Sequence, residues 1–85
     1  MLTGAQIRMA RGHLRWSVKD LAEASGVSTA TIKRMEEVDG VPKAITDNLL
    51  KIKSALENKD LVFLPENGGG AGLRMRKPAE NGAAQ

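Results

Sequence analysis

The chain has 85 residues, no cysteine, 41% hydrophobic residues and a formal net charge of +3. A chain this short buries only about 60% of its unfolded surface, which leaves room for one core, and the lack of cysteine excludes a disulfide framework or a thiolate zinc site. One Trp, one Phe and no Tyr exclude an aromatic core and the stacking platforms of single-strand binders. A single histidine, His13, is too few for an all-imidazole metal site. The longest apolar run, Leu61 to Leu64, is far short of the roughly 20 residues of a membrane span. No apolar signal region follows the N-terminus, so a cytoplasmic protein is expected. The isoelectric point near 9.6 hints at polyanions. Residues 1–40 nonetheless hold six basic and five acidic side chains. The placement of charge must therefore matter more than its amount.

In chain order, four helices are expected. Each is announced by a Ser or Thr cap with an apolar residue just before it and another four positions after it. Leu2-Thr3 pairs with Ile7, Trp16-Ser17 with Leu21, Val27-Ser28 with Ile32, and Ile45-Thr46 with Leu50. Thr3 has Gln6, and Ser17 has Asp20, at the position that closes a capping box. Helix one runs from Gly4 to Leu14 with Ile7, Ala10 and Leu14 on one stripe. Helix two covers Val18 to Ser25 and stops at Gly26, which suits a left-handed end. Helix three follows Ser28, faces Ile32 and Met35 inward and frays at Asp39-Gly40. Helix four follows Thr46 and carries Leu49, Leu50, Ile52 and Leu56.

Leu61 to Leu64, bounded by Pro65, reads as a strand. Residues 65–70 read as a glycine-rich turn, and 72–76 alternate apolar and basic as a second, half-buried strand. Residues 77–85 have the composition of a disordered tail. The chain thus divides into a helical domain over 1–60, a hairpin over 61–76 and a tail over 77–85.

Helices two and three are joined by only Gly26-Val27-Ser28, and Ala22 is small enough for close approach at a steep crossing. This is helix-turn-helix geometry. With Ile32 and Met35 buried on a wheel of about 100° per residue, Ala30 and Arg34 point away, Lys33 lies beside them and Thr29 on the flank. Thr29, Ala30, Lys33 and Arg34 are therefore the candidates for base edges in a major groove. Arg34 is able to fork onto guanine, or else to hold a phosphate beside Lys33. Ser17, Lys19 and Ser28 at the starts of helices two and three, with Lys43 in the next loop, are placed for phosphates, because free N–H groups and the helix dipole favour anions there.

These residues resemble the Cro/repressor-like (XRE) helix-turn-helix family. The resemblance rests on Ile7-Arg8, Arg11, residues 17–22, Gly26-Val27-Ser28, Thr31-Ile32 and Met35-Glu36, and covers about residues 2–57. Residues 63–70 look like a short bacterial subgroup ending in strand–turn–strand. The resemblance implies a mainly α fold, a four- to five-helix bundle with a C-terminal β-hairpin. It also implies a homodimer and operator DNA as ligand. Arg11 and Glu36 match a structural salt bridge of the family, tying helix one to the end of helix three. Where the family commonly has a phosphate-holding glutamine, this chain has Val18, and that role does not carry over.

One reading helix spans only a few base pairs, so a self-association surface is expected. The hairpin is the candidate, through Leu61, Val62, Phe63, Leu64, Leu73 and Met75, because both faces of its first strand are apolar. The alternative is a hairpin folded back over helix four of its own chain. The expected function is a repressor or autoregulating controller on a pseudo-palindromic operator. Contact with RNA polymerase through Glu37 or Asp39 is a route to activation. The competing class is a protein-interaction module such as an antitoxin or anti-activator; an architectural DNA binder fits the reading-helix layout less well. Gly68-Gly69-Gly70 lacks the Lys-Ser/Thr of a phosphate loop, and Asp20 and Glu23 have no nucleophile beside them. No enzyme, cofactor, metal, membrane or small-molecule ligand is therefore expected.

Overall fold

The computed structural model describes residues 2–64 and 72–75. Four helices, α1 (Gly4–Leu14), α2 (Val18–Ser25), α3 (Thr29–Glu36) and α4 (Thr46–Glu57), are followed by strands β1 (Leu61–Leu64) and β2 (Gly72–Met75). The mainly helical bundle with a C-terminal hairpin is the fold that the sequence implied. The expected turn at 65–70, Arg76 and the tail at 77–85 lie outside the described residues.

Three of the four expected caps form. Thr3 and Ser17 each accept a bond from the N–H three residues on and complete capping boxes with Gln6 and Asp20, while Ser28 accepts from the Thr31 N–H. The fourth differs. Ile45, not Thr46, is the cap residue of α4, and no side chain closes that end. Instead the Ile45 carbonyl accepts from both the Asn48 and the Leu49 N–H. The shift of one residue moves the apolar staple to Ala44 and Leu49, which pack inward, and leaves Ile45 and Leu50 exposed at 70% and 55%. Helix α3 also ends earlier than expected, at Glu36. The segment beyond it has another use: the Asp39 and Gly40 carbonyls accept the first two N–H groups of α1, from Ala5 at 3.3 Å and Gly4 at 2.8 Å. Gly4 is required for this approach, because a Cβ there would overlap the Met35 and Val38 carbonyl oxygens.

Ile7 and Ala10 of α1, Leu21 of α2, Ile32 and Met35 of α3, and Leu49, Ile52 and Leu56 of α4 form the core. The hairpin closes it from one side. The strands pair antiparallel with Leu61 opposite Met75 and Phe63 opposite Leu73. β1 lies against α4 and β2 against α1. Leu61 is fully buried, and Phe63 and Leu73 pack against the same core. Within the chain, the face that carries these three residues is covered by its own helices, as in the fold-back alternative. Val62 is half-buried, while Leu64 and Met75 keep exposed surface.

The link that secures the hairpin is Gln6. Its Oε1 accepts the Thr3 N–H at 2.9 Å, and its Nε2 donates to the Leu64 carbonyl at 3.0 Å and the Gly72 carbonyl at 2.7 Å. A buried amide with its partners satisfied thus holds both strands to the start of α1. No helix among the described residues is long and apolar enough to cross a membrane.

Candidate nucleic-acid interface

The α2–α3 turn is set by local bonds. Gly26 takes φ 78°, the left-handed region that favours glycine, and donates its N–H to the Ala22 carbonyl at 2.8 Å. Ser25 Oγ donates to the Leu21 carbonyl at 2.7 Å and accepts from the Val27 N–H at 3.2 Å, while Val27 is buried. Ser28 then opens α3, its Oγ accepting the Thr31 N–H and donating to Thr31 Oγ1 at 2.9 Å. Polar groups stitch the turn and one apolar side chain anchors it, so α3 has little freedom to roll.

With Ile32 and Met35 buried, Thr29, Ala30, Lys33 and Arg34 are all exposed on α3. Arg34 and Lys43 line one open groove between α3 and the start of α4, together with Thr31 and Asn48. Two cations from separate elements are thereby brought to one surface. Sequence reasoning did not find Asn48 or Ile45 in this groove, since their placement depends on the path of the loop from Gly40 to Ala44.

The two helix starts expected to hold phosphate differ. At α2 the Ser17 N–H donates to Asp20 Oδ2 at 2.9 Å and the Asp20 N–H donates to Ser17 Oγ at 3.0 Å. A carboxylate therefore occupies this N-terminus, and its charge opposes an incoming phosphate near Ser17 and Lys19. The first turn of α3 carries no acid, so Ser28 marks the helix start that suits an anion better. Val18, at the usual glutamine position, is half-buried against the core and works as a packing residue.

Behind the exposed face, Arg11 fixes the helices. Its Nε and Nη2 donate to Glu36 Oε2 and Oε1 at 2.7 and 2.8 Å, and its Nη1 donates to the Trp16 carbonyl at 2.8 Å. One guanidinium thus joins α1, the approach to α2 and the end of α3. The hydrogen bonds to Glu36 raise the Arg11 guanidinium above its ordinary value, with burial opposing and the Glu36 charge adding to the rise. Arg8 donates to the Glu36 and Val38 carbonyls and pairs with Asp39, placing a cation at the C-terminal end of α3. Lys59 Nζ stands 5.7 Å from the Trp16 ring centroid, linking the end of α4 to the α1–α2 connection.

A family model described as a helix-turn-helix domain matches residues 3–51. The chain belongs to the Cro/repressor-like helix-turn-helix family. Its helix-turn-helix domain points to DNA as the partner. The matched segment of this helix-turn-helix protein runs from the α1 cap into the middle of α4 and includes Arg11, Glu36 and the whole exposed row of α3; the hairpin lies beyond it. No curated protein matches the chain.

Proposed function

We propose that the protein is a cytoplasmic, homodimeric transcription regulator that binds a pseudo-palindromic operator in duplex DNA and represses by occluding RNA polymerase. In this reading α3 enters the major groove by its N-terminal part. Thr29 offers a hydroxyl and a methyl to base edges, Ala30 makes apolar contact, and Arg34 forks onto guanine O6 and N7, with Lys33 beside it. A bidentate Arg–guanine pair is worth about 1–3 kcal/mol of discrimination. Lys43 and Ser28 hold phosphates on either side, with Lys19 and Ser17 in a lesser role because of Asp20. No catalysis is assigned to the chain.

The observation that carries the reading is the exposed row Thr29, Ala30, Lys33 and Arg34 on a helix whose opposite side is locked into the core. Selection of bound fragments from random duplex DNA by the purified protein tests it. A recurring half-site, repeated in inverted orientation about one helical turn apart, is the expected result. Failure to enrich any sequence, together with a flat response of binding to salt, would instead favour a protein-interaction module.

A further inference from the structure

The segment between α3 and α4 alternates in exposure. Val41, Lys43 and Ile45 face water, Val41 at 50% and Ile45 at 70%, while Pro42 is buried and Ala44 packs against the core. Both ends are pinned. Just before the segment, the Asp39 and Gly40 carbonyls accept N–H groups of α1; at its end, the Ile45 carbonyl accepts the Asn48 and Leu49 N–H groups. Pro42 fixes its own φ, so the middle is stiff as well. We propose that residues 41–45 form a rail for one strand of duplex DNA, with Lys43 on a phosphate and Val41 and Ile45 against deoxyriboses on either side of it. The inference rests on the DNA-binding reading and deepens it: it adds a contact to the sugar, and with that contact a selection of DNA over RNA.

Three observations point to a sugar–phosphate strand as the occupant. First, Lys43 and Ile45 line the groove that also holds Arg34, so the rail continues the exposed side of α3. Second, no carboxylate lines that groove among the described residues, and Asp47, the acid in the first turn of α4, is paired with Lys51 at 3.4 Å. A polyanion therefore meets two cations there. Third, the order apolar–cation–apolar matches the chemistry of a DNA strand, where a charged phosphate lies between sugars whose C2′ groups are hydrocarbon. Exposed apolar side chains standing singly are ordinary. Here two of them flank a cation on a segment that is already held in place, so binding has little left to order. In RNA the C2′ group carries a hydroxyl. Pressed against Ile45, it would lose water without gaining a partner.

Salt titrations of duplex binding by the full chain test this, with Ile45→Ser, Val41→Ser and Lys43→Ala, and with circular dichroism to check that each variant folds. Ile45→Ser should weaken binding to every DNA duplex by about three- to tenfold and leave the slope of log K against log salt unchanged, because an apolar contact releases no counterions. Val41→Ser should act in the same way and more weakly, whereas Lys43→Ala should lower the slope by about one. Single ribonucleotides are then placed in turn along each strand of an operator selected from random DNA. Wild type should lose about three- to tenfold at the sugars that meet the rail, and Ile45→Ser should remove most of that loss at one of them. The rail is overturned if Ile45→Ser binds like wild type, if it lowers the salt slope, or if the ribonucleotide losses are the same in both proteins. A loss on replacing one thymine by uracil that disappears in Ile45→Ser would place Ile45 on a base methyl and overturn it too. If an operator is selected and Ile45→Ser binds it like wild type, the rail alone fails. If Ile45→Ser weakens duplex binding at constant slope but no sequence is selected, the regulator reading alone fails. A chain that binds no duplex defeats both.

Discussion

Replacing Arg11 by Met removes the cation from a carboxylate that has little access to water. The Glu36 side chain is 9% exposed and Arg11 23% exposed, and the substitution also strips the Trp16 carbonyl of its donor. Breaking one side of a fully buried pair costs about 3–5 kcal/mol. Water reaching the Arg11 side recovers part of that, so a loss of about 2–4 kcal/mol is expected. The whole stability of a domain of this size is on the order of 3–10 kcal/mol, so the variant should sit near the edge of folding. At about 4–8 °C per kcal/mol for such a domain, a loss of about 3 kcal/mol lowers Tm by roughly 12–24 °C. Thermal melting followed by circular dichroism reads this directly. The double variant Arg11→Met/Glu36→Leu should recover part of the loss, because no unpaired charge then remains inside. A single-variant cost below about 1 kcal/mol, or a double variant no more stable than the single, would refute the reasoning. The pair should not respond to pH near neutrality. Arg11 is raised in the folded state, so its contribution is full below the unfolded guanidinium value and fades only above it.

Gly4→Ala should destabilise the fold by about 1–3 kcal/mol in urea melts, because the added methyl meets two backbone carbonyls that hold the start of α1. Arg15 closes α1 in the left-handed region at φ 58°, its exposed side chain contributing no bond to that turn; Arg15→Gly should raise stability by about 0.5–1 kcal/mol. Gln6→Leu leaves the Thr3 N–H and the Leu64 and Gly72 carbonyls without their partner. It should cost about 2–4 kcal/mol and speed amide exchange in β1 ahead of α2 and α3. Equal acceleration in all elements would mean that the hairpin and helices open as one unit.

How much the sequence revealed follows from how local each determinant is. Thr3, Ser17 and Ser28 act on N–H groups three residues away, so their helices could be placed from the chain alone. Gly26 and the Ile32–Met35 stripe are equally local, and with them comes the outward side of α3. The start of α4 was misread because Thr46 and Leu50 mimic a cap and staple. The register is decided instead by Ala44 and Leu49 packing inward, which depends on the loop after α3. The seat of the hairpin stayed open between two options in the sequence for a similar reason. Two apolar faces on β1 say that both want cover, but only the amide of Gln6, bonded to residues 58 and 66 positions away, says which chain supplies it. Asp20 was legible as a cap; its effect on phosphate at the α2 start emerges only once its carboxylate is seen on the Ser17 N–H.

The central claim is that the outward side of α3 reads base sequence. Its most direct test is the affinity of wild type and Arg34→Ala, at fixed salt, for the selected operator and each of its single-base variants. Arg34→Ala should lose about 1–3 kcal/mol on the operator and become indifferent to the base at one position of each half-site, while Lys43→Ala weakens all duplexes alike. A uniform loss on every duplex for Arg34→Ala, with the base preferences of wild type intact, would contradict it.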